Sequence, residues 1–179
     1  VETPVTQISK SFLVTFFQKS NFVLLLAVLS ASPAAADSIC VAAASAPPAQ
    51  TISVTCDQAA ISRYFLLSPS LAALTPAQRA QVITDPTRYA LAYMSADAAN
   101  RLQAAFASPA TQSVDLNETL TTRGPTGQPQ GHNLFRIAAG RADVANINWS
   151  KLAPLDLFKT VPTQLSPYLL AQLKADSGK

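Results

Sequence analysis

The chain has 179 residues, a formal charge of +3, 13% charged side chains and 49% hydrophobic ones. The basic excess is small and scattered, which excludes nucleic acid as a partner, because phosphate recognition needs several cations on one face. Two cysteines and one histidine exclude a Cys/His zinc site, and no glycine-rich phosphate cradle, Cys-x-x-Cys pair or haem-attachment sequence points to a cofactor.

The stretch from Lys19 to Asp37 has a basic entry, an apolar run from Phe22 to Ala31, a break at Pro33 and small residues Ala34, Ala35 and Ala36. That is the layout of a secretory signal. A bilayer core needs about 20 apolar residues in helix. Extending the run back to Phe12 would bury Lys19, at roughly 2.5 to 3.5 kcal/mol. Residues 1–36 are therefore expected to form a signal peptide, the alternative being an uncleaved anchor that supplies the only membrane contact. Residues 37–179 are expected to form a single mature α+β domain of about 140 residues, large enough to bury roughly two thirds of its unfolded surface. The expected location is periplasmic or extracellular. In an oxidising compartment the pair Cys40 and Cys56 is most simply a disulfide.

From Thr51 to Cys56, Ile52, Val54 and Cys56 alternate with polar residues, the period of a half-buried strand. Tied through Cys40, this strand anchors the mature N-terminus. Four short helices follow, each with its own start signal: Asp57; Thr75 with Pro76 and Gln78, a capping box; Asp85 with Pro86; and Ser95. Tyr64, Tyr89, Tyr93 and Phe106 are expected in the core they share. Val114, Leu116 and Leu120 then suggest a strand, Thr121 to Asn133 a long Gly/Pro-rich loop, and Leu134 to Ala139 a second strand. Ala145, Ile147 and Trp149 alternate like a third strand beyond a Gly140–Asp143 turn, and Ser166 with Pro167 opens a closing helix. The fold expectation is a disulfide-tethered strand, a cluster of short helices, a small antiparallel sheet with a long loop, and a C-terminal helix.

Chemistry-bearing residues are few. His132, the lone histidine, sits in the 121–133 stretch beside Gly131 and Asn133. As a general base it needs a nucleophile and an orienting acid, yet no nucleophile elbow or Ser-x-x-Lys motif occurs. Paired carboxylates of the glycosidase kind are limited to Glu118, the one glutamate after the leader, with Asp115 or the turn residue Asp143; Asp57, Asp85 and Asp97 fall at helix starts. Arg123, Gln128, His132 and Asn133 form a candidate binding loop, since loops on rigid scaffolds carry recognition. Asn117-Glu118-Thr119 and Asn148-Trp149-Ser150 match the glycosylation sequon.

Leu74-Thr75-Pro76-Ala77-Gln78 resembles the Leu-Thr-x-x-Gln signature of Spy-like and CpxP-like periplasmic chaperones, a resemblance that implies holdase activity. The second copy and the long charged helices of that family are absent from this chain, and a capping box writes the same letters. The low charge and missing catalytic constellation favour an exported, non-catalytic interaction or binding protein, an accessory subunit with a protein partner in a cell-envelope assembly. The alternatives are a small secreted hydrolase using His132 with an acid, and a holdase.

Overall fold

The computed structural model describes residues 39–67 and 75–177. The expected signal peptide at 1–36, and Leu74 of the chaperone-like motif, lie outside them. Strand β1 (Cys40–Ala44) turns back at Ser45 into β2 (Ala49–Asp57), the turn being closed by Ser45 N–H donating to Thr51 O at 3.0 Å and Thr51 N–H donating to Ser45 Oγ at 2.8 Å. Cys40 and Cys56 stand directly opposite each other across these strands and are disulfide-bonded. Closing a loop of this length stabilises the fold by about 3 kcal/mol in the chain-entropy treatment.

Helices α1 (Gln58–Leu67), α2 (Pro76–Thr84) and α3 (Pro86–Ala107) then lead to β3 (Ser113–Arg123) and β4 (Pro129–Gly140). Beyond them come a single turn α4 (Arg141–Val144), two short 3-10 turns, α5 (Leu157–Thr160), β5 (Thr163–Leu165) and the closing helix α6 (Pro167–Ser177). The five strands lie in sequence order β1-β2-β3-β4-β5, with β1 and β5 as the edges. Every neighbouring pair is antiparallel except β2 and β3, which run parallel. A parallel pair cannot be joined by a tight turn, and the three helices are the crossover. The architecture is α+β, with the tethered N-terminal strand and closing helix in place.

Start signals account for most helix beginnings. Asp57 Oδ1 accepts the Ala59 amide at 2.8 Å, Asp85 Oδ1 accepts that of Arg88 at 3.3 Å, and Ser166 Oγ that of Leu169 at 3.2 Å. Ser95 behaves differently from expectation. It is fully buried in the middle of α3, and its hydroxyl donates to Ala92 O at 2.9 Å, bonding back to the preceding turn instead of capping a new one. The third and fourth expected helices are therefore one helix of 22 residues.

Two further local expectations change. The 121–133 stretch narrows to a turn at 124–128, closed by Gly124 N–H to Gln128 O and Gly127 N–H to Gly124 O, both 2.9 Å. Gly127 has φ 77°, a left-handed value that glycine adopts without strain. No residue of this hairpin from Thr121 to Asn133 is fully buried, so its arms carry no apolar period. The third strand expected at 145–149 is absent. Instead Gly140 N–H donates to Asp143 Oδ2 at 2.7 Å and the chain enters α4, while β5 takes the place beside β4, with Leu165 opposite Phe135.

The core is one continuous cluster lying against the inner face of the sheet: Ile52, Val54 and Cys56 from β2, Leu116 and Leu120 from β3, Phe135 and Ile137 from β4, and Leu169 and Leu173 from α6. Phe65 meets Tyr89 edge-to-face at 5.2 Å, and Tyr64 meets Tyr93 at 5.4 Å, a preferred aromatic geometry. Arg141 locks the end of α3. Its Nε donates to Thr111 O at 3.0 Å, Nη1 to Phe106 O at 3.3 Å, and Nη2 to Ser108 O and Thr111 O. These include carbonyls that a helix C-terminus leaves open, and the guanidinium lies over the Phe106 ring at 5.7 Å. Arg141→Met keeps the stem but strands these carbonyls; it is expected to lower unfolding stability by about 2 to 4 kcal/mol, read as a reduced urea midpoint at unchanged slope.

Candidate functional site

Strand parity divides the sheet into two unlike faces. Inward positions are mostly apolar and covered by α1, α3 and α6. Outward positions carry polar side chains, short at Thr51, Ser53 and Thr55 on β2, at Asp115, Asn117, Thr119 and Thr121 on β3 and at Asn133 on β4, and long at Arg136 on β4. They stand in register, with Thr51 beside Asp115, Ser53 beside Asn117 and Thr55 beside Thr119, then Asn117 beside Arg136 and Thr119 beside Asn133. All are exposed or half-buried. Val41, 74% exposed, lies across from Thr55 on β1. The result is an open plane of hydroxyls and amides backed by a packed core.

One ion pair organises its middle. Arg136 Nε donates to Asp115 Oδ1 at 2.8 Å and Nη2 to Oδ2, while Asn117 Nδ2 donates to Asp115 Oδ1 at 3.3 Å. The bidentate Arg136 guanidinium holds the Asp115 carboxyl below its usual range, helped by Asn117 against the effect of partial burial, and Asp115 in turn raises Arg136. This pair fixes side-chain directions more than it stabilises the fold, being partly exposed. Asn117 and Asn148, the two sequon asparagines, are half-buried and exposed respectively.

The four residues expected in a binding loop are separated by the hairpin. Arg123 Nη1 donates to Gly127 O at 3.2 Å, and Gln128 is exposed in the turn. Asn133 belongs to the open face. His132 is opposite Leu120 on the helix side, its ring stacked on Tyr168 at 4.0 Å and 9°, with Nε2 3.0 Å from Thr122 Oγ1. It joins the hairpin to α6. Asp115 is on the opposite face and Glu118 lies beneath α3, so the histidine and the candidate acids are not brought together. Among the described residues no group of three or more His, Cys, Asp and Glu could hold a metal ion.

Glu118 is the least expected finding. It falls at an inward position between Leu116 and Leu120 and is 0% exposed. Its Oε1 has no hydrogen-bond partner, and Oε2 lies 4.0 Å from Cys56 Sγ. That sulfur is disulfide-bonded and has no hydrogen, so any proton between them belongs to the carboxyl. Asp97, 7% exposed on α3, is near enough to add repulsion and is itself bound by Arg101 Nε at 2.5 Å. Burial foremost, then Asp97, push the Glu118 carboxyl well above the usual range, and Arg101 offsets this in part. The signal was present in the strand parity: Val114, Leu116, Leu120 continues through position 118, which marks this acid as inward. Asp97, taken as an ordinary first-turn acid, carried no comparable mark.

A carboxyl whose pKa is higher folded than unfolded makes the folded state bind more protons. Its contribution is present below the unfolded value, about 4.3, and is lost as pH rises through the folded one. Glu118→Gln is expected to abolish this decline, leaving the variant more stable than the parent on the alkaline side in urea titrations across pH. His132→Ala, which removes one stack and one hydrogen bond, should cost about 1 kcal/mol in the same measurement. No protein-family model matches the chain, no curated protein matches it, and no solved structure matches it.

Proposed function

We propose that this chain is an exported, non-catalytic binding module, an accessory subunit of a cell-envelope assembly that presents the open face of its sheet to a protein partner. The observation that carries the proposal is the asymmetry of the sheet: helices cover one face, while the other offers registered short polar groups from β2, β3 and β4. Thin side chains let another surface approach the backbone plane closely, and the core behind it supplies rigidity, so little ordering accompanies contact. Hydroxyls and amides suit a wet, hydrogen-bonded interface in which water fills the gaps.

Export is supported by the signal-like sequence of residues 19–37 and by the disulfide. Among the described residues no helix is long and apolar enough to cross a membrane.

The test places Ser53→Arg and Thr119→Arg on the open face and Gln103→Arg on the solvent side of α3 as a control. Envelope extract is passed over each immobilised variant, and the captured protein is then titrated. Binding should fall at least about tenfold for the two face variants and stay at parental strength for the control. Equal capture by all, or a purified chain that remains a monomer and retains nothing, refutes the proposal.

A further inference from the structure

We propose that the Cys40–Cys56 bond is itself a reaction site, opened by thiol–disulfide exchange with an external dithiol, and that the Glu118 carboxylic acid gives its proton to the departing Cys56 sulfur. This goes beyond partner binding and does not rest on it.

Three observations carry it. First, the two sulfurs are unlike in access. Cys40 opens the edge strand β1, whose remaining residues Val41, Ala42, Ala43 and Ala44 are all exposed and which, among the described residues, is hydrogen-bonded on one side only. Cys56 lies inside the sheet between β1 and β3, opposite Leu120, with no exposed surface. Fraying of β1 brings the Cys40 sulfur, 2% exposed in the closed form, to an incoming thiolate; Cys56 stays enclosed. Secondly, a thiolate expelled into that enclosure needs a proton from within it. Glu118 Oε2, 4.0 Å from Cys56 Sγ, is placed to supply one. Thirdly, the other charged groups facing Glu118 are committed to each other: Asp97 is bound by Arg101. Arg101 also moderates the negative charge that Glu118 acquires on giving up its proton. A buried acid with a free oxygen beside a disulfide is costly to retain as a structural group alone, and a sulfur expelled into an apolar enclosure is a poor, high-pKa leaving group, the kind whose departure a local acid assists.

The steps balance. One thiolate of the dithiol attacks Cys40 Sγ, a mixed disulfide forms, the Cys40–Cys56 bond breaks, and the Cys56 sulfur leaves with the electron pair and takes the Glu118 proton. The second thiol of the reductant loses its proton and attacks its neighbouring sulfur. Cys40 is then released as a thiolate that is protonated from water. Two electrons pass to the chain, the reductant becomes its own disulfide, and Glu118 regains a proton from solvent while β1 is open.

The oxidised full chain and its Glu118→Gln and Glu118→Asp variants are treated with dithiothreitol from about pH 5 to pH 9, free thiols are alkylated at intervals, and rates are expressed per reductant thiolate. Glu118→Gln should slow reduction by about tenfold to a hundredfold near neutrality, with Glu118→Asp recovering part of the rate. The parental per-thiolate rate should fall as Glu118 loses its proton, whereas that of Glu118→Gln should be flat. Far-UV circular dichroism on the oxidised forms checks folding, and Glu118→Asp carries the comparison if the glutamine variant is misfolded. With glutathione, a monothiol that cannot cyclise, the first adduct, trapped by rapid alkylation of the freed protein thiol, should map to Cys40. Equal per-thiolate rates and pH profiles in parent and variants, or an adduct on Cys56, overturn the proposal.

Discussion

Parallel pairing of β2 with β3 is the constraint from which the rest of the architecture follows. Both strands must be entered from the same end, so the chain has to travel the length of the sheet between them, and α1, α2 and α3 make that journey on one side. Once the connection is committed to one side, the apolar positions of β2, β3 and β4 all have to point there. The opposite positions are left to water. An antiparallel hairpin at this point would have removed any need for the helices, and with them the cover that makes a core.

That cover is unusual in enclosing an acid. Most of the inner face is aliphatic or aromatic, yet Glu118, Asp97 and Arg101 meet between β3 and α3. Desolvating such groups opposes folding unless their charges are neutralised or shared. Here one carboxyl is paired with a guanidinium, and the other has its proton affinity raised by burial. The covalent bond beside them holds β1 against β2 at the place where packing is chemically least favourable.

How much of this was legible before the structure depended on whether each element faces a core. The alternation from Thr51 to Cys56, the cysteine pair, the starts at Asp57, Pro76, Asp85 and Ser166, and the inward aromatics all leave local marks, because burial or an unsatisfied amide dictates the residue. Ser95 misled because its letters suit a cap equally well, and only tertiary packing decides that the helix runs through it. The hairpin arms at 121–123 and 129–133 misled for the opposite reason: none of their residues is fully buried, so nothing imposes an apolar pattern. In the run from Ala145 to Trp149, Ile147 and Trp149 pack against the core from a turn and a 3-10 segment while Ala145 is exposed, so the alternation there marks no strand. The open face was half visible as the polar phase of two strands, but its extent depends on which strands lie side by side, and a parallel neighbour with 55 intervening residues has no local signature.

An irregularity in pairing governs how the far end of the sheet is oriented. Glu118 pairs with Phe135 but Thr119 pairs with Asn133, so Leu134 is a supernumerary place in β4, and both Leu134 and Phe135 point inward. Such a bulge advances the phase of one strand relative to its neighbour. With the same letters in uninterrupted alternation, Leu134 would project into water, Asn133 would be driven against Tyr168, and His132 would swing to the outside. A single surplus residue thus acts as a half-turn coupling, letting a hairpin grow out of the sheet with its imidazole still gripped by the last helix.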